Sequence, residues 1–481
     1  MVFTAEQRLD NEQALAAITP LVGRYDTRGA RYTSYPPATE FNTAMDADVY
    51  AGYLRSVAGQ NPGLPLSLYV HVPFCQDICY YCACNKIVSR EAGIGARYVQ
   101  SLVQEIALKA SYGHYPQSVR QLHIGGGTPN FLNTQELMQL VHSLASHFNL
   151  SDSPDRDYAI EIDPRTVDNS QLALLAGVGF NRISMGIQDF DPQVQEAINR
   201  VQPYSLVERL VGELRDLGFR SINFDLIYGL PLQTEATVIE TLEQVLTLRP
   251  DRIAVYNYGH MPHKFASQRA LDRLPRPSAM EKISLQYLVR GALVAAGYIN
   301  IGMDHYALPD DDLARALAEG RLRRNFQGYT AFDAQQTMGF GLSAISSHPD
   351  CYAQNLCTLD NYSAALDRGD LPLGKSFYLG KDDQIRREVI MSLCCQLRVN
   401  LSGLGYQFDI NPDRYFAREL EQIRRFEDDG LVDRKGHILE VTDMGRDFLR
   451  NICMVFDRYA IQGVAGDDDD AAVPLKFSRT M

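Results

Sequence analysis

Six short apolar segments alternate with amphipathic helical segments over about residues 62–265, and this alternation constrains the fold most strongly. The predicted strands cover residues 66–72, 121–124, 158–163, 182–188, 221–227 and 252–258. Strands that alternate with helices form a parallel sheet with right-handed crossovers. Because six units fall short of the eight of a closed barrel, we expect an α/β fold, an open partial (β/α)6 barrel. Its ligands should lie at the carboxyl ends of the strands.

Two of the helices between these strands carry clear patterns. The first covers residues 134–148, where Asn133 can cap the start and Glu136 follows three residues later. The second is predicted from Ser205 to about Gly218. Its expected apolar stripe consists of Leu206, Leu210, Leu214 and Leu217.

Three regions are predicted along the chain. Residues 1–60 form an N-terminal arm of short helices and turns, residues 61–370 hold the barrel and its elaboration, and residues 371–481 form a mainly helical domain. In this last region a helical face, a charged helix and a hairpin around Gly436 precede a helix capped by Thr442, as in a winged-helix module. The acidic run at 466–470 is interpreted as a solvated loop.

The charge balance limits the partners. The chain has 46 basic and 59 acidic residues, a formal net charge of −13, which disfavours binding to nucleic-acid phosphates. No apolar stretch reaches the length of a membrane span, and the first residues lack a signal-peptide pattern. We therefore expect a cytoplasmic protein, whose thiols stay reduced.

The nine cysteines are unevenly distributed, because Cys75, Cys79, Cys82 and Cys84 lie within ten residues. In a reduced compartment such a cluster indicates a metal centre rather than disulfides. Soft thiolates suit either zinc or an iron–sulfur cluster. Zinc needs four ligands, and Cys84 could serve as the fourth. A [4Fe–4S] cluster held by Cys75, Cys79 and Cys82 would leave one iron open, and both interpretations stand on spacing alone.

The stretch from residue 69 to 86 resembles the signature of radical S-adenosylmethionine (SAM) enzymes, and within them the oxygen-independent coproporphyrinogen III dehydrogenases of heme biosynthesis. The likeness extends from about residue 24 to the C-terminus through an ordered set of motifs. These motifs cover residues 125–129, 161–165, 184–190, 225–231, 302–306, 324–330 and 450–453. The whole ordered set of motifs is far more specific for this enzyme family than the three cysteines alone.

This resemblance implies a radical SAM barrel with one [4Fe–4S] cluster whose open iron binds SAM. An electron would cleave the C5′–S bond of SAM, and the resulting 5′-deoxyadenosyl radical would take a hydrogen from a propionate β-carbon. Loss of CO2 and one electron leaves a vinyl group. Repeated on two propionates, the reaction converts coproporphyrinogen III to protoporphyrinogen IX. The cofactor carries the bond breaking, and no catalytic side chain is assigned.

The resemblance also implies two bound SAM molecules. The contacts with the first would be Tyr69, Gly126, Glu161, Gly259 and Ile345. The contacts with the second would be Tyr81, Gly127, Thr128, Gln188, Arg200 and Asp225. This chain departs from the family pattern at Tyr81, where Phe is commoner, and at Gly259, where Ala is usual. These departures concern the SAM pocket and remove no cluster ligand.

The expected substrate carries four carboxylates, so an acidic protein needs a local basic pocket for it. Arg31, Lys86 and Arg324 are the candidates, because cationic side chains, above all the arginine fork, match a carboxylate. The further partners would be a flavodoxin-like or similar electron donor and an unidentified electron acceptor. The protein is expected to be a monomer.

Two alternatives belong to other classes. The first is a heme-binding carrier related to these enzymes, which would keep the cluster but decarboxylate nothing. Such relatives usually lack the continuation at residues 84–86, the arm at 24–37 and the segment at 324–330, all of which are present here. The second is a zinc-stabilised winged-helix DNA binder, which the acidic balance disfavours. The role of Cys84, structural or catalytic, stays open.

Overall fold

The protein is described by a computed structural model over residues 5–58, 65–332 and 336–460, together with residues 477 and 480. The side chains of residues 5–10 are not described. The acidic run at 466–470, interpreted above as a solvated loop, lies outside the described residues.

Six parallel strands form the centre of the fold, as the sequence predicts. They are β1 (Leu66–Val72), β2 (Ser118–Gly126), β3 (Asp157–Ile162), β4 (Arg182–Gln188), β5 (Ser221–Tyr228) and β6 (Arg252–Asn257). Each strand pairs in parallel with the next. β1 and β6 take other neighbours on their outer sides, so the six strands form an open sheet and not a closed barrel. The predicted open (β/α)6 architecture is confirmed.

Helices follow the strands and cover the outside of the sheet. They are α1 (Ile94–Ser111), α2 (Thr134–His147), α3 (Asn169–Gly177), α4 (Tyr204–Asp216), α5 (Glu235–Leu248) and α6 (Ala279–Ala295). Their apolar faces pack on the strands in one large hydrophobic core. Short helical segments also occur in the connections, at Pro129–Phe131, Pro192–Ala197 and Ala266–Leu271.

The two helix predictions differ in outcome. At α2, Asn133 and Glu136 form the predicted reciprocal capping box. At α4 the predicted stripe is partly wrong, because the helix ends at Asp216 and Leu217 is 38% exposed. The buried face consists of Val207, Leu210, Val211 and Leu214. The buried face is rotated relative to the predicted one, because Val207 and Val211 pack inward and Leu217 does not.

Further strands extend the sheet at both edges. They are β7 (Ile299–Gly302), β8 (His305–Ala307), β9 (Gln336–Phe340), β10 (Ile345–Ser347), β11 (Cys351–Asn355) and β12 (Leu373–Tyr378). β8 pairs antiparallel with β6, whereas β9 pairs parallel with β1. The small paired strands outside this sheet include Arg323–Asn325 with Gly328–Thr330, and Phe74–Cys75 with Ile87–Val88. Asn149–Leu150 pairs with β2, and the helices Asp312–Ala318 and Leu359–Asp367 complete this region.

The C-terminal region has the predicted winged-helix arrangement. Its helices are Lys381–Gln396, Leu401–Phe408, Pro412–Tyr415, Ala417–Asp428 and Leu449–Phe456. The strands Arg398–Asn400, Val432–Lys435 and Ile438–Val441 form a small antiparallel sheet. Gly436 turns the hairpin with φ +63°. The predicted cap of the last helix is wrong. Thr442 Oγ1 accepts from the Gly445 amide over 3.0 Å and begins the turn Met444–Phe448, and this turn separates Thr442 from the last helix, which starts at Leu449.

The N-terminal arm differs from the predicted series of short helices. It begins with one 21-residue helix, Ala5–Tyr25, and continues through Ala38–Glu40 to the helix Ala47–Val57. Ile18, Val22 and Tyr25 join the C-terminal hydrophobic core, and Tyr25 stacks on Phe426 with ring centroids 4.9 Å apart. Tertiary packing therefore stabilises a helix whose own apolar pattern is weak. None of the described helices is long and apolar enough to cross a lipid bilayer.

Candidate active site

The three predicted cluster ligands lie in the loop that leaves β1. Cys75 ends a two-residue strand that pairs with Ile87–Val88, which closes the loop at its base. The Cys82 amide donates to the Cys79 carbonyl over 3.2 Å, so these two residues share a turn. Cys79 is buried, and Cys75 and Cys82 are half-buried.

The spacing of the thiols bears on which metal centre they fit. Among the described residues, no three His, Cys, Asp or Glu side chains converge closely enough to hold a single metal ion. Structural zinc needs such convergence, whereas in an iron–sulfur cluster each thiolate binds its own iron. Three soft thiolates in one short loop suit an iron–sulfur cluster by the chemistry of the donor set.

Positive charge surrounds the sulfur of Cys79. Arg200 Nη1 lies 3.5 Å from Cys79 Sγ, and Arg165 Nη2 lies 3.8 Å from the same sulfur. Asp163 holds both guanidinium groups, at 3.2 Å from Arg200 and 2.7 Å from Arg165. Burial alone would raise the pKa of Asp163, but the two arginines lower it to about 2. Two cations and one carboxylate leave a net positive charge beside this predicted cluster ligand.

The other two sulfurs also have polar neighbours. Thr128 Oγ1 donates to Cys75 Sγ over 3.4 Å, and Lys86 Nζ donates to the Cys82 carbonyl over 3.1 Å. A hydrogen bond from Cys84 and the charge of Lys86 lower the pKa of Cys82 to about 6, against the effect of burial. The surroundings of Cys82 therefore favour the thiolate, the form in which cysteine binds metal, whereas burial raises the pKa of Cys75 to about 11.

A glycine turn connects the end of β2 to this loop. The Gly127 amide donates to the Val72 carbonyl over 2.8 Å, and the Thr128 amide donates to the Phe74 carbonyl over 2.8 Å. A Cβ on Gly127 would lie 2.5 Å from the Pro73 oxygen, so a larger residue would push the two segments apart. Gly126 has φ +123°, a conformation that other residues rarely adopt.

Two carboxylates of the site belong to β3 and β5. Glu161 accepts from the Gly126 amide over 3.1 Å and contacts His123 Nε2 at 3.0 Å. Burial would raise the pKa of Glu161, but His123 and the amide lower it below its ordinary value, so Glu161 is ionised at neutral pH. Asp225 accepts from Asn223 Nδ2 over 2.9 Å. Burial and the charge of Glu161 raise the pKa of Asp225 to about 7.

Tyr69, another predicted SAM contact, lies near Glu161, and Ile345 lies on strand β10. Tyr69 stacks on His123 with ring centroids 5.9 Å apart, and its hydroxyl lies 3.1 Å from His71 Nδ1. Tyr69 is opposite Gly339 in the register of β1 and β9, and the backbone of Ile345 closely approaches that glycine. Tyr69 and Ile345 are therefore brought to one edge of the barrel mouth.

The remaining predicted contacts lie at other strand ends. Gln188 ends β4 with φ +67° and is buried. Gly259 follows β6, and Gln268 Nε2 donates both to the Gly259 carbonyl over 3.3 Å and to the Tyr81 carbonyl over 3.0 Å. One side chain thus joins the end of β6 to the cysteine loop.

The three predicted substrate residues do not form one group. Arg31 contacts Asp304 at 3.4 Å, and Arg324 lies over the Tyr329 ring at 4.6 Å. Their charges both act on Tyr256 and His305, so these two arginines share a region beyond β6. Lys86 instead lies in the cysteine loop.

Sequence reasoning missed His71, His123, Asp163 and Arg165 as parts of this site. Asp163 and Arg165 belong to the motif at 161–165, which directly follows a strand, so their position was a usable signal. His71 and His123 lie inside strands, where a lone histidine is usually part of the core.

An open six-stranded parallel barrel with three cysteines in the loop after its first strand defines a radical SAM protein. A family model described as the radical SAM superfamily matches residues 69–245, and one described as the HemN C-terminal domain matches residues 379–448. The chain belongs to the oxygen-independent coproporphyrinogen III oxidase family. Radical SAM membership implies a [4Fe–4S] cluster and SAM.

Similarity to individual relatives extends over nearly the whole chain. An oxygen-independent coproporphyrinogen III oxidase of Pseudomonas aeruginosa is 44% identical over 441 residues, which cover 91% of this chain and 95% of the relative. The Escherichia coli K12 protein of the same name is 43% identical over 442 residues, which cover 92% of this chain and 95% of that relative. One solved structure matches with a TM-score of 0.85 at 42% identity, and the match covers 89% of this chain and 98% of that one. It is described as "Coproporphyrinogen III oxidase (HemN) from Escherichia coli is a Radical SAM enzyme".

Proposed function

We propose that the protein decarboxylates two propionates of coproporphyrinogen III oxidatively, giving protoporphyrinogen IX in oxygen-independent heme biosynthesis. The observation that carries this proposal is the cysteine loop with its cationic surroundings, in a chain whose relatives carry that activity in their names. When bound, the cluster and SAM supply the one-electron chemistry that turns a propionate into a vinyl group and CO2.

Cys75, Cys79 and Cys82 hold the cluster in this proposal and leave one iron for SAM. The support is their placement in one loop, with Arg165 and Arg200 beside Cys79 and Thr128 beside Cys75. Cationic and hydrogen-bonding groups stabilise thiolates and the negative charge of a reduced cluster. Cys84 is exposed and serves no ligand role in this scheme.

Two SAM molecules occupy the barrel mouth in the proposal. Tyr69, Gly126, Glu161, Gly259 and Ile345 orient the first, and Tyr81, Gly127, Thr128, Gln188, Arg200 and Asp225 contact the second. The ionised Glu161 accepts hydrogen bonds from the SAM amino or ribose groups. In this proposal Asp225 accepts from ribose hydroxyls or faces the sulfonium charge of SAM. The glycine turn lets the ligand approach the backbone closely.

The remaining expectations concern the surroundings of the enzyme. We infer a cytoplasmic location, where thiols stay reduced, and a monomeric protein. A flavodoxin-like or similar donor supplies the electron, and an acceptor takes up the electron released with CO2. Arg31, Lys86 and Arg324 remain candidates for the substrate carboxylates.

An anaerobic assay tests this function. The reconstituted protein is incubated with SAM, a strong reductant and coproporphyrinogen III, and we expect both 5′-deoxyadenosine and the divinyl product. As a matched control, Cys357→Ala removes an exposed cysteine outside the loop and should leave both products unchanged. Stoichiometric heme binding without any vinyl product would favour the carrier function instead.

A further inference from the structure

A cavity opens at the carboxyl end of β6, between the barrel and the N-terminal arm. The strand end contributes Asn257, Tyr258 and Gly259 to its lining, the arm contributes Arg28 and Arg31, and α6 contributes Lys282. Asp26 is the carboxylate in this lining. The cavity therefore carries more positive than negative charge, in a chain with a net charge of −13.

The cavity lies next to the cysteine loop. Gln268 connects the Gly259 carbonyl in its wall to the Tyr81 carbonyl between two predicted cluster ligands. Tyr258 belongs to the same small apolar cluster as Tyr81. A ligand held in this cavity is therefore close to the predicted reaction centre.

Lys282 is the unusual residue of the cavity. Its ammonium group donates to the Tyr258 carbonyl over 2.9 Å, and its stem packs against Gly229. Within the described part of the chain, no carboxylate lies within ion-pair distance of Lys282. Burial and the nearby charge of Arg276 lower the pKa of Lys282, partly offset by Asp26. A half-buried ammonium group whose hydrogen bond goes to a carbonyl, with no carboxylate at ion-pair distance in the described chain, favours a ligand that compensates its charge.

Arg31 has capacity to bind a ligand at the same place. Its guanidinium lies 3.4 Å from Asp304 and 3.3 Å from the Asn257 carbonyl, both at the long end of hydrogen-bond distances. A guanidinium has five N–H donors, and these two long contacts use few of them.

We propose that this cavity binds a carboxylate of the substrate through Lys282 and Arg31. The proposal rests on the proposed function, and the ligand is then a propionate of coproporphyrinogen III that the reaction leaves intact. Ion pairing with Lys282 and Arg31 stabilises a carboxylate, so the same contacts to a reacting propionate would oppose its loss as CO2. We therefore assign this pair of cations to a propionate that keeps its charge throughout the reaction.

A binding titration tests the proposal without requiring turnover. Coproporphyrin III, the air-stable oxidised form with the same four propionates, is titrated into the holoenzyme and followed by its fluorescence. Lys282→Met should weaken binding about tenfold, the loss expected for one charge-assisted hydrogen bond. Lys282→Arg should restore most of the affinity. Arg273→Met, at an exposed position in the loop between β6 and α6, is the matched control and should bind as the unchanged protein does.

The fold of the Lys282→Met variant is checked by thermal unfolding. We expect an unchanged or higher melting temperature, because the substitution removes a half-buried charge and keeps an apolar stem. Unchanged coproporphyrin affinity in this variant would overturn the proposal. A lowered melting temperature with unchanged affinity would also overturn it, because Lys282 would then be structural.

Steady-state kinetics separate an intact propionate from a reacting one. Lys282→Met should raise the KM for coproporphyrinogen III and leave kcat nearly unchanged. A fall in kcat at unchanged KM would overturn the proposal. If the protein binds coproporphyrin III through Lys282 but forms no vinyl product, the carboxylate site stands and the proposed function fails.

Discussion

Two groups of residues at the barrel mouth carry opposite charge, and we call them the cysteine side and the acidic side. On the cysteine side, Arg165 and Arg200 approach the Cys79 sulfur. The acidic side consists of the carboxylates Glu161 on β3 and Asp225 on β5. A thiolate-bound cluster is negative and SAM carries a sulfonium and an ammonium group, so each side complements one part of the proposed cofactor set. The difference shows that local charge, not the net charge of −13, prepares this site.

The largest expected effect comes from the cysteine side. Replacing Cys75, Cys79 or Cys82 with Ala should reduce cluster iron to near zero, because a three-ligand site cannot lose a thiolate and hold its cluster. Iron and sulfide analysis of anaerobically purified protein measures this. Cys84→Ala should retain the cluster. If Cys84→Ala lost iron while Cys82→Ala kept it, the ligand assignment would be wrong.

Replacing Glu161 tests the acidic side. Glu161→Gln keeps the shape of the side chain but removes the negative charge, so we expect SAM binding about tenfold weaker in calorimetry. Glu136→Gln, a carboxylate in the capping box of α2 outside the mouth, serves as the control and should bind SAM normally. Equal affinity in both variants would contradict a role for Glu161 in SAM binding.

The pKa of Asp225 predicts a pH dependence on the same side. Because its pKa is about 7, Asp225 gains its charge between pH 6 and pH 8, and SAM affinity should rise several-fold over that interval. Asp225→Asn should flatten the rise. The raised pKa also means that Asp225 contributes less to the free energy of unfolding as the pH rises from 3.8 towards about 7. A wild-type pH profile in the Asn variant would exclude Asp225 as the titrating group.

The smallest effect is expected at Arg165. Its guanidinium donates towards the Cys79 sulfur, and such a contact stabilises the more negative, reduced cluster. Arg165→Gln should therefore lower the reduction potential by a few tens of millivolts. A redox titration followed by electron paramagnetic resonance measures this shift. Arg90→Gln alters an exposed arginine just after the cysteine loop, where it pairs with Asp77, and should leave the potential unchanged.

Much of the barrel could be predicted because its signals are local. Apolar runs, glycine stops and the Asn133–Glu136 cap act within a few residues, so strands and helices are found without knowledge of the rest. The stripe of α4 was misjudged at Leu217, because the packing partner decides which side of that helix is buried. The long arm helix was missed for the same reason, since much of its packing partner lies about 400 residues away.

The candidate site shows the same division. The cysteines stand out because Cys75, Cys79 and Cys82, the predicted cluster ligands, lie within eight residues, and the glycines because they end a strand. The contacts of Arg165 and Arg200 with Cys79 join residues 86 and 121 positions apart. Spacing cannot reveal such contacts.

The sequence by itself determined the order of strands and helices, the cysteine loop and the likeness to one enzyme family, because each depends on residues that are near in the chain or on an ordered set of motifs. Only the tertiary structure decided which charges meet. It placed Arg165 and Arg200 against the sulfur of Cys79 and raised the pKa of Asp225. It also placed Lys282 in a cavity where no carboxylate of the described chain lies within ion-pair distance of its ammonium group. Electrostatic energy depends on distance and burial in space, and neither follows from position along the chain.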